Sequence, residues 1–382
     1  IKTQELNLQI NKNQVLSSKL SILPGLNAGA SESFTLGRSV DPYSNEFTND
    51  NFSSSNFQIS SSLTLFNGLQ QYNSIKKADI DEKAGQLMLE QTRNHISLTI
   101  ASAYLNILYA MDLVDVAKQQ KSITDLQLKN TVALVSSGSL PEQNKYEIEA
   151  QLANEELNIV NYENQLEIAI LNLTQILELE NSDMFAIVRP NIDNIDTESS
   201  LLSIDQIYFE ALQKMPEIEY AQLNYLSSEK NLAIAKGSLY PRLTMSASYG
   251  TGYSSARKAI DQITPASPYL SGFATDNTGT ILDVYQYSFD YTYVNKPFYD
   301  QLTENASTAI AFNLNIPIFN GLQARTNVNN SKIYLEQNKL QVDQARKDLY
   351  KNIQQAHADA QSALKQYLAT NKTLQAMELS FS

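Results

Sequence analysis

Apolar residues along this 382-residue chain follow two different periods, and the chain switches between them. In NFQISSSLTLF, Phe57, Ile59, Leu63 and Leu65 alternate with Gln58, Ser60, Ser62 and Thr64. In AIAFNLNIPIF, Ile310, Phe312, Leu314, Ile316 and Ile318 oppose Ala311, Asn313 and Asn315. A period of two puts successive side chains on opposite faces, so both runs predict strands with one apolar and one polar side. Strands are predicted at about 24–37, 56–66, 241–253 and 308–319. Each is near the roughly 9–11 residues that a tilted strand needs to cross a bilayer, although a soluble sheet over a core has the same alternation.

Between the strands the period lengthens. From about Gln70 to Ser137 there is no proline, and only Gly85 interrupts a helix-compatible run. At about 1.5 Å per residue such a helix reaches on the order of 100 Å. Its apolar positions form two lines, Ile96, Ile100, Ile107 and Val114 on one and Leu98, Leu105 and Leu108 on the other. The returning segment from Pro141 to Leu179 also carries two. One holds Ile148, Leu152, Ile159, Tyr162, Leu166, Ala169, Leu173 and Ile176, and the other Tyr146, Ala150, Ala153, Leu157, Val160 and Leu171. Two seams on one helix require neighbours on two sides, as in a closed ring of helices.

At the connection SSGSLPEQ, Gly138 is expected to end the first helix, with Ser139 and Glu142 as a capping box and Pro141 in the first turn of the second. Another capping signal, SIDQ at Ser203–Gln206, is expected to open a helix running on through ALQKMPEIEYAQLNYLSSEKNLAIAKGS. The Pro- and Asp-rich VRPNIDNIDTESS before it reads as a link.

The chain repeats itself. LFNGLQ at Leu65–Gln70 returns as IFNGLQ at Ile318–Gln323, and PGLNAGAS from Pro24 is echoed by PRLTMSAS from Pro241. Residues 1–200 and 201–382 therefore read as two structural repeats, each of helix, strand, loop, strand, turn and long helix. Phe66, Asn67 and Gly68, with Phe319, Asn320 and Gly321, are the predicted strand-to-helix turns. Four strands fall short of the roughly 8 in the smallest transmembrane barrels, and an open sheet in lipid leaves its edges unsatisfied. Strands in a membrane would thus have to be pooled from several copies.

Composition narrows the chemistry. A net charge of −13 without a basic patch disfavours nucleic acid as a partner. Absence of cysteine removes disulfides, thiolate nucleophiles and cysteine metal sites and fits an exported protein; with Ile1 opening the chain, a leader removed or simply omitted is the expectation. No stretch approaches the roughly 20 consecutive apolar residues of a spanning helix. His95 and His357, the only histidines, have no second ligand at metal-binding spacing. No nucleophile-elbow, phosphate-loop or zinc-protease motif occurs, which disfavours an enzyme. The GTG at Gly250–Gly252 is expected in a loop. A longer loop, 254–308, contains VYQYSFDYTYV, whose alternating Tyr285, Tyr287, Phe289, Tyr291 and Tyr293 suit an extension of a barrel beyond the membrane, with an interfacial girdle or packing under a surface lid as the alternatives.

The segment order, the FNG turns before long helices, ALQKMPEIEYAQ, AKGSLYPRLTMSASYG and the loop opening LGRSVDPYSNEF together resemble the TolC family of outer-membrane efflux proteins over essentially the whole chain. The resemblance implies a mixed α and β fold. In it, a homotrimer closes one outer-membrane β-barrel, four strands per protomer, continuous with a long periplasmic α-helical barrel. It also implies a channel of tripartite efflux or type I secretion in a Gram-negative outer membrane, with no catalysis and no cofactor. The partners implied are a periplasmic adaptor, or membrane fusion protein, and indirectly an inner-membrane transporter, with outer-membrane lipid around the strands.

By the same resemblance the adaptor docks at the hairpin tip, through Val135, Gly138, Ser139, Leu140 and Pro141. Asn144 stands where family members often carry a gate-region aspartate. The counterpart of Gly138 in the second repeat falls beyond Ser382, as do the acidic constriction residues. A soluble scaffold with long helical hairpins is the alternative reading of the same residues.

Overall fold

The computed structural model describes residues 1–43, 45–49, 51–179, 185–190 and 202–381. In chain order they form α1 (Lys2–Leu20), β1 (Gly25–Thr35), β2 (Ser39–Val40), β3 (Phe47–Thr48), β4 (Phe52–Phe66), α2 (Gln70–Ser136) and α3 (Glu142–Ile176). Then come α4 (Ile204–Lys214), α5 (Pro216–Gly237), β5 (Arg242–Ser254), β6 (Lys258–Pro265), β7 (Tyr269–Thr275), β8 (Ile281–Gln286) and β9 (Phe289–Asn295). The chain closes with α6 (Phe298–Glu304), β10 (Ser307–Asn315) and α7 (Gln323–Phe381). Most of the predicted link, 191–200, lies outside the described residues. Two compact units emerge, one of residues 13–79 and 226–336, the other of residues 1–12, 80–225 and 337–382.

The first unit is built on an antiparallel sheet in the order β1-β4-β5-β10. Its register carries the alternation across all four strands. Ala28 lies opposite Ile59 and Ala30 opposite Phe57, Ile59 is paired with Tyr249 and Leu63 with Met245, and Met245 in turn with Phe312 and Leu243 with Leu314. One face is thus apolar, and on it Leu26, Ile59, Ile310, Phe312 and Leu314 are exposed. The other face presents Asn27, Ser60, Ser62, Ser246 and Ser248. A slip of one residue would exchange the faces, so this patterning fixes the register.

Three sequence expectations need correction here. The strand predicted at 308–319 stops at Asn315, because Pro317 has no N–H to give the ladder, and Ile316 and Ile318 leave the sheet. A bulge between Thr64 and Phe66 leaves Leu65 without a register partner and sets Phe66 opposite Leu243, so Leu65 does not continue the Leu63 line. The Gly250–Gly252 run lies inside β5 and is not a loop. A Cβ on Gly252 would collide with the Tyr43 ring, so the glycine is there for close approach.

The long segment between β5 and β10 folds into two further ribbons, β6 with β9 and β7 with β8, separate from the four-stranded sheet. Tyr285 sits on β8 and Phe289, Tyr291 and Tyr293 on β9, so the alternating aromatic run is broken at Tyr287 between the two. On the β6–β9 ribbon Ile260, Ile263 and Pro265 lie opposite Tyr293, Tyr291 and Phe289.

In the second unit α2 and α3 form an antiparallel hairpin. Ile107, completely buried, packs with Ala169 and Leu173, flanked by Ile100, Met111 and Leu166. Phe185 and Ile187 close over this cluster, and Arg189 pairs with Asp112 at 2.9 Å and Asp115 at 3.1 Å. Toward the tip, Lys118 bonds Glu163 at 2.7 Å and Lys121 bonds Glu156 at 2.9 Å. The Glu156 hydrogen bond and charge hold the Lys121 ammonium above its ordinary pKa.

The two predicted apolar lines therefore separate. Ile107 and Val114 on α2 and Ala169 and Leu173 on α3 are buried within the hairpin, and Leu108 joins them. Leu98, Leu105, Tyr146, Leu157 and Val160 remain exposed, Leu98 at 70% and Val160 at 61%. Among the described helices α2 alone is long and apolar enough, by length and composition, to cross a bilayer. Within it Ile107, flanked by Ile100, Ala103 and Met111, packs on α3.

Ser203 and Gln206 make the predicted capping box, Gln206 N–H donating to Ser203 Oγ at 3.3 Å and Ser203 N–H to Gln206 Oε1 at 3.2 Å. The helix opened there does not run on as expected. It breaks at Met215, which is extended because the Pro216 ring crowds a helical residue before it. Pro216 then starts α5.

Candidate functional site

Two places concentrate the sequence's candidate residues, the strand-to-helix turns and the α2–α3 tip. At the first turn Phe66 ends β4, and Gly68 and Leu69 both take the left-handed conformation, at φ +65° and +63°. At the second, Gly321 and Leu322 do the same at +62° and +65°. The hydrogen bonds match as well: Gln70 N–H to Asn67 O at 3.3 Å and Gln323 N–H to Asn320 O at 3.2 Å. Asn73 N–H reaches Leu69 O at 3.0 Å and Thr326 N–H reaches Leu322 O at 2.8 Å. These bonds start α2 and α7 at a set angle to the strands before them.

Sequence reasoning found Asn and Gly at these turns and missed Leu69 and Leu322. A bulky residue at positive φ is uncommon and has no composition signal. The only available clue was that leucine recurs in both copies of the echo. Also missed was the partner of Gly68. A Cβ at that position would collide with the Gly237 carbonyl oxygen and meet Tyr240 Cβ at 2.9 Å, so the turn lies directly on the α5–β5 connection. Gly321 has nothing within 4 Å.

At the tip, α2 ends on Gly138 at φ +77°. Gly138 N–H donates to Val135 O at 2.9 Å and Ser139 N–H to Leu134 O at 2.9 Å, the paired bonds of a Schellman ending. The expected Ser139–Glu142 capping box is absent. Pro141 is itself the cap residue of α3 and makes no side-chain cap bond, while Ser139 Oγ lies 2.9 Å from Ser137 Oγ. The cap lies two positions beyond Ser139, at Pro141, so the Ser139 hydroxyl serves the turn instead. Val135, Leu140 and Asn144 are half-buried, and Gly138, Ser139 and Pro141 are exposed. Ser139→Ala should accordingly leave the unfolding temperature nearly unchanged, within about 0.5 kcal/mol. Ser203→Ala, which removes a working cap, should cost about 1 kcal/mol in the same thermal-unfolding measurement.

A third cluster, with no sequence signal, sits at the other end of the strands. Asp41, Ser254 and Gln301 are buried together. Ser254 Oγ donates to Asp41 Oδ2, Ser254 N–H donates to Gln301 Oε1 at 2.9 Å, and Gln301 Nε2 donates to Ser254 O and Lys296 O, both at 2.9 Å. These bonds tie the β1–β4 connection and the helix α6 to the end of β5. Burial, then the Asp41 charge, raises the Tyr43 phenol pKa beside this cluster.

Nearby, Lys296 and Arg257 converge on Glu304, the latter at 3.1 Å. The hydrogen bond from Lys296, followed by the charges of Lys296 and Arg257, lowers the Glu304 pKa below its ordinary 4.5. A depressed carboxyl stabilises above its unfolded pKa and loses that contribution as pH falls through the folded value. Hydrogen exchange across residues 296–305 should therefore speed up as the pH falls below the ordinary carboxyl value of 4.5, after correction for intrinsic rates. Glu304→Gln should remove that pH dependence.

Among the described residues no group of three or more histidine or acidic side chains is placed to hold a metal. His95 and His357 lie apart on α2 and α7. The clefts on the sheet are shallow; one of about 410 Å³ on the apolar side is lined by Ala28, Ala30, Phe57, Ile59 and Tyr249. This geometry suits packing surfaces and a channel wall.

Comparison with known proteins places the architecture. Residues 1–178 and 207–382 match the family described as outer membrane efflux protein. No curated protein matches the chain. Among solved structures, the outer membrane protein VceC from Vibrio cholerae superposes with a TM-score of 0.73 at 15% identity, over 98% of this chain and 79% of that one. CusC gives 0.71 at 15% identity, over 97% and 75%. The open state of the MtrE outer membrane channel of Neisseria gonorrhoeae gives 0.69 at 17%, over 97% and 72%. Long helices together with β-strands are the common fold. The chain belongs to the outer membrane efflux protein family, the non-enzymatic, TolC-like outer-membrane channels that reach into the periplasm as part of tripartite pumps.

Proposed function

We propose that three copies of this chain, each giving four strands, close one barrel in the outer membrane above a tunnel lined by their helices. The assembly is a passive exit duct. It takes small molecules or secreted polypeptides from an inner-membrane transporter by way of a periplasmic adaptor. One observation carries this reading: the β1-β4-β5-β10 sheet is open at both edges, and its apolar face is uncovered except where Phe298 of α6 packs on Phe57 and Tyr253. In lipid an unpaired edge costs several kcal/mol per polar group, about, and four strands are half of the roughly 8 that close the smallest barrels. Family members form trimers within tripartite pumps, which supplies the missing strands. The exposed second lines on α2 and α3 supply the matching helix surfaces.

Within that duct the Phe66–Gly68 and Phe319–Gly321 turns join barrel to tunnel. Val135, Gly138, Ser139, Leu140 and Pro141 form the adaptor-docking tip. Asn144, a neutral amide, leaves the gate region without a carboxylate at that position. Opening of the tunnel at its periplasmic end is the working step, and no bond is made or broken. The test is assembly and conduction. Protein extracted in detergent should sediment as a trimer and give discrete ion-conducting steps in a planar bilayer. A monomer soluble without detergent would overturn the proposal in favour of a scaffold.

A further inference from the structure

The two repeats agree in more than residue type. A shift of 217 positions carries Leu26 onto Leu243, and hence β1 onto β5; a shift of 253 carries Leu65 onto Ile318, and hence β4 onto β10. Under these shifts the observed pair Gly25–Ser62 becomes Arg242–Asn315, which is also an observed pair, and all the other rungs of the shorter β5–β10 hairpin follow, as far as Gly250–Ser307. The left-handed Gly68–Leu69 becomes the left-handed Gly321–Leu322. The duplication is therefore faithful in backbone register, and the step from first hairpin to second, the β4–β5 ladder, is known rung by rung.

Applied once more, that step leads from the second hairpin to the first hairpin of another copy. Phe57–Thr251, Ile59–Tyr249 and Ser61–Ala247 become Ile310–Phe34, Phe312–Glu32 and Leu314–Ala30. We infer that neighbouring copies join through a β10–β1 ladder in this register, with the Ile318–Phe319 turn covered by the Leu20–Leu23 segment of the next copy. The inference rests on the trimeric reading above and adds the residues that meet.

Chemistry on both faces agrees with it. Phe34 and Ala30 continue the apolar face of β10, while Ser31 and Ser33 fall opposite Asn313 and Ala311 on the polar face. Glu32, the one charge brought to the apolar side, already accepts a hydrogen bond from Ser55 Oγ on its own β4. The turn supports the same neighbour. Gly68 is covered by Gly237 and Tyr240, whose counterparts under the 217 shift are Leu20 and Leu23. Those two leucines are exposed, and Ile318 and Phe319 are 94% and 80% exposed, against 46% and 43% for Leu65 and Phe66 in the covered turn.

Because the chain has no cysteine, engineered pairs can be read one at a time. Successive rungs of an antiparallel ladder alternate between close and wide spacing, so one pair is placed on each face. Ser33→Cys with Ala311→Cys, and Ala30→Cys with Leu314→Cys, test the inferred register. Ser31→Cys with Ala311→Cys, and Glu32→Cys with Leu314→Cys, are displaced by two residues and keep the faces intact. After oxidation in detergent, at least one matched pair should give interchain disulfide bands several-fold stronger than its displaced control. Stronger bands from a displaced pair would overturn the register while leaving joined edges. Absence of interchain bands from every pair in a sedimenting trimer would overturn edge joining itself. A monomer in detergent would overturn the trimeric reading and this inference with it.

Discussion

Gly68→Ala is expected to lower the stability of the detergent-extracted protein by about 2–5 kcal/mol, and Gly321→Ala by clearly less. Two costs meet at Gly68. An L-residue in the left-handed region loses about 1–2 kcal/mol. Added volume in a packed site costs about 1–3 kcal/mol more. The second cost is imposed by the Gly237 carbonyl and Tyr240, which a methyl on Gly68 would strike. Gly321 shares only the first, since a methyl there would meet nothing of its own chain within 4 Å beyond its immediate neighbours. A second copy seated on that turn does not equalise the two positions, because the counterpart of Gly237 is Leu20, whose side chain forbids so close an approach. Thermal unfolding of the two variants side by side gives the difference, and equal losses would show that packing against Gly237 is unimportant.

This contrast also marks how far the sequence could be read. Alternation in NFQISSSLTLF and AIAFNLNIPIF was sufficient to place β4 and β10 and to assign their faces, because burial of one side of a strand demands a period of two. Long proline-free runs were sufficient for α2 and α7. The errors fall where one residue overrides a pattern. Pro317 cut a strand that its apolar neighbours seemed to prolong, Pro216 split a helix through its effect on Met215, and a bulge displaced Leu65. At the tip, a plausible S-x-x-E signature was displaced by Pro141 as cap.

The candidate site was legible only in part for a related reason. Turn residues with a conformational signature, Gly68, Gly138 and Gly321, can be found from type and position. Leu69 and Leu322 adopt the same conformation with no such signature, because their φ is set by the helix starts they terminate against and not by the side chain. Asp41, Ser254 and Gln301 are separated by as many as 260 positions in the chain and belong to no motif, so only folding brings them together.

That cluster yields the other large expected effect. Gln301→Ala removes the acceptor of the Ser254 N–H and the donor to the carbonyls of Ser254 and Lys296. The Ser254 N–H and the half-buried Lys296 carbonyl lose their partner, whereas the Ser254 carbonyl keeps the Arg257 N–H at 3.3 Å. At about 1–3 kcal/mol for the buried group and less for the other, a loss of about 2–4 kcal/mol is expected if water does not replace the amide. Ser254 is completely buried, as is Gln301, which limits such replacement. The damage should be local before it is global. Gln301 holds α6 to β5, and α6 connects the β6–β9 ribbon to β10, so hydrogen exchange should rise first in residues 296–306. Exchange in the Ile107 cluster, in the other unit, should stay at its original rate. Gln301→Glu is the informative companion. Its carboxylate still accepts from Ser254 N–H but cannot donate to either carbonyl unless protonated, so its exchange pattern should approach wild type as pH is lowered toward the carboxyl range. A Gln301→Glu whose exchange relative to wild type at the same pH does not change with pH, or a Gln301→Ala with unchanged exchange at 296–306, would mean that the amide is not what fastens this loop to the sheet.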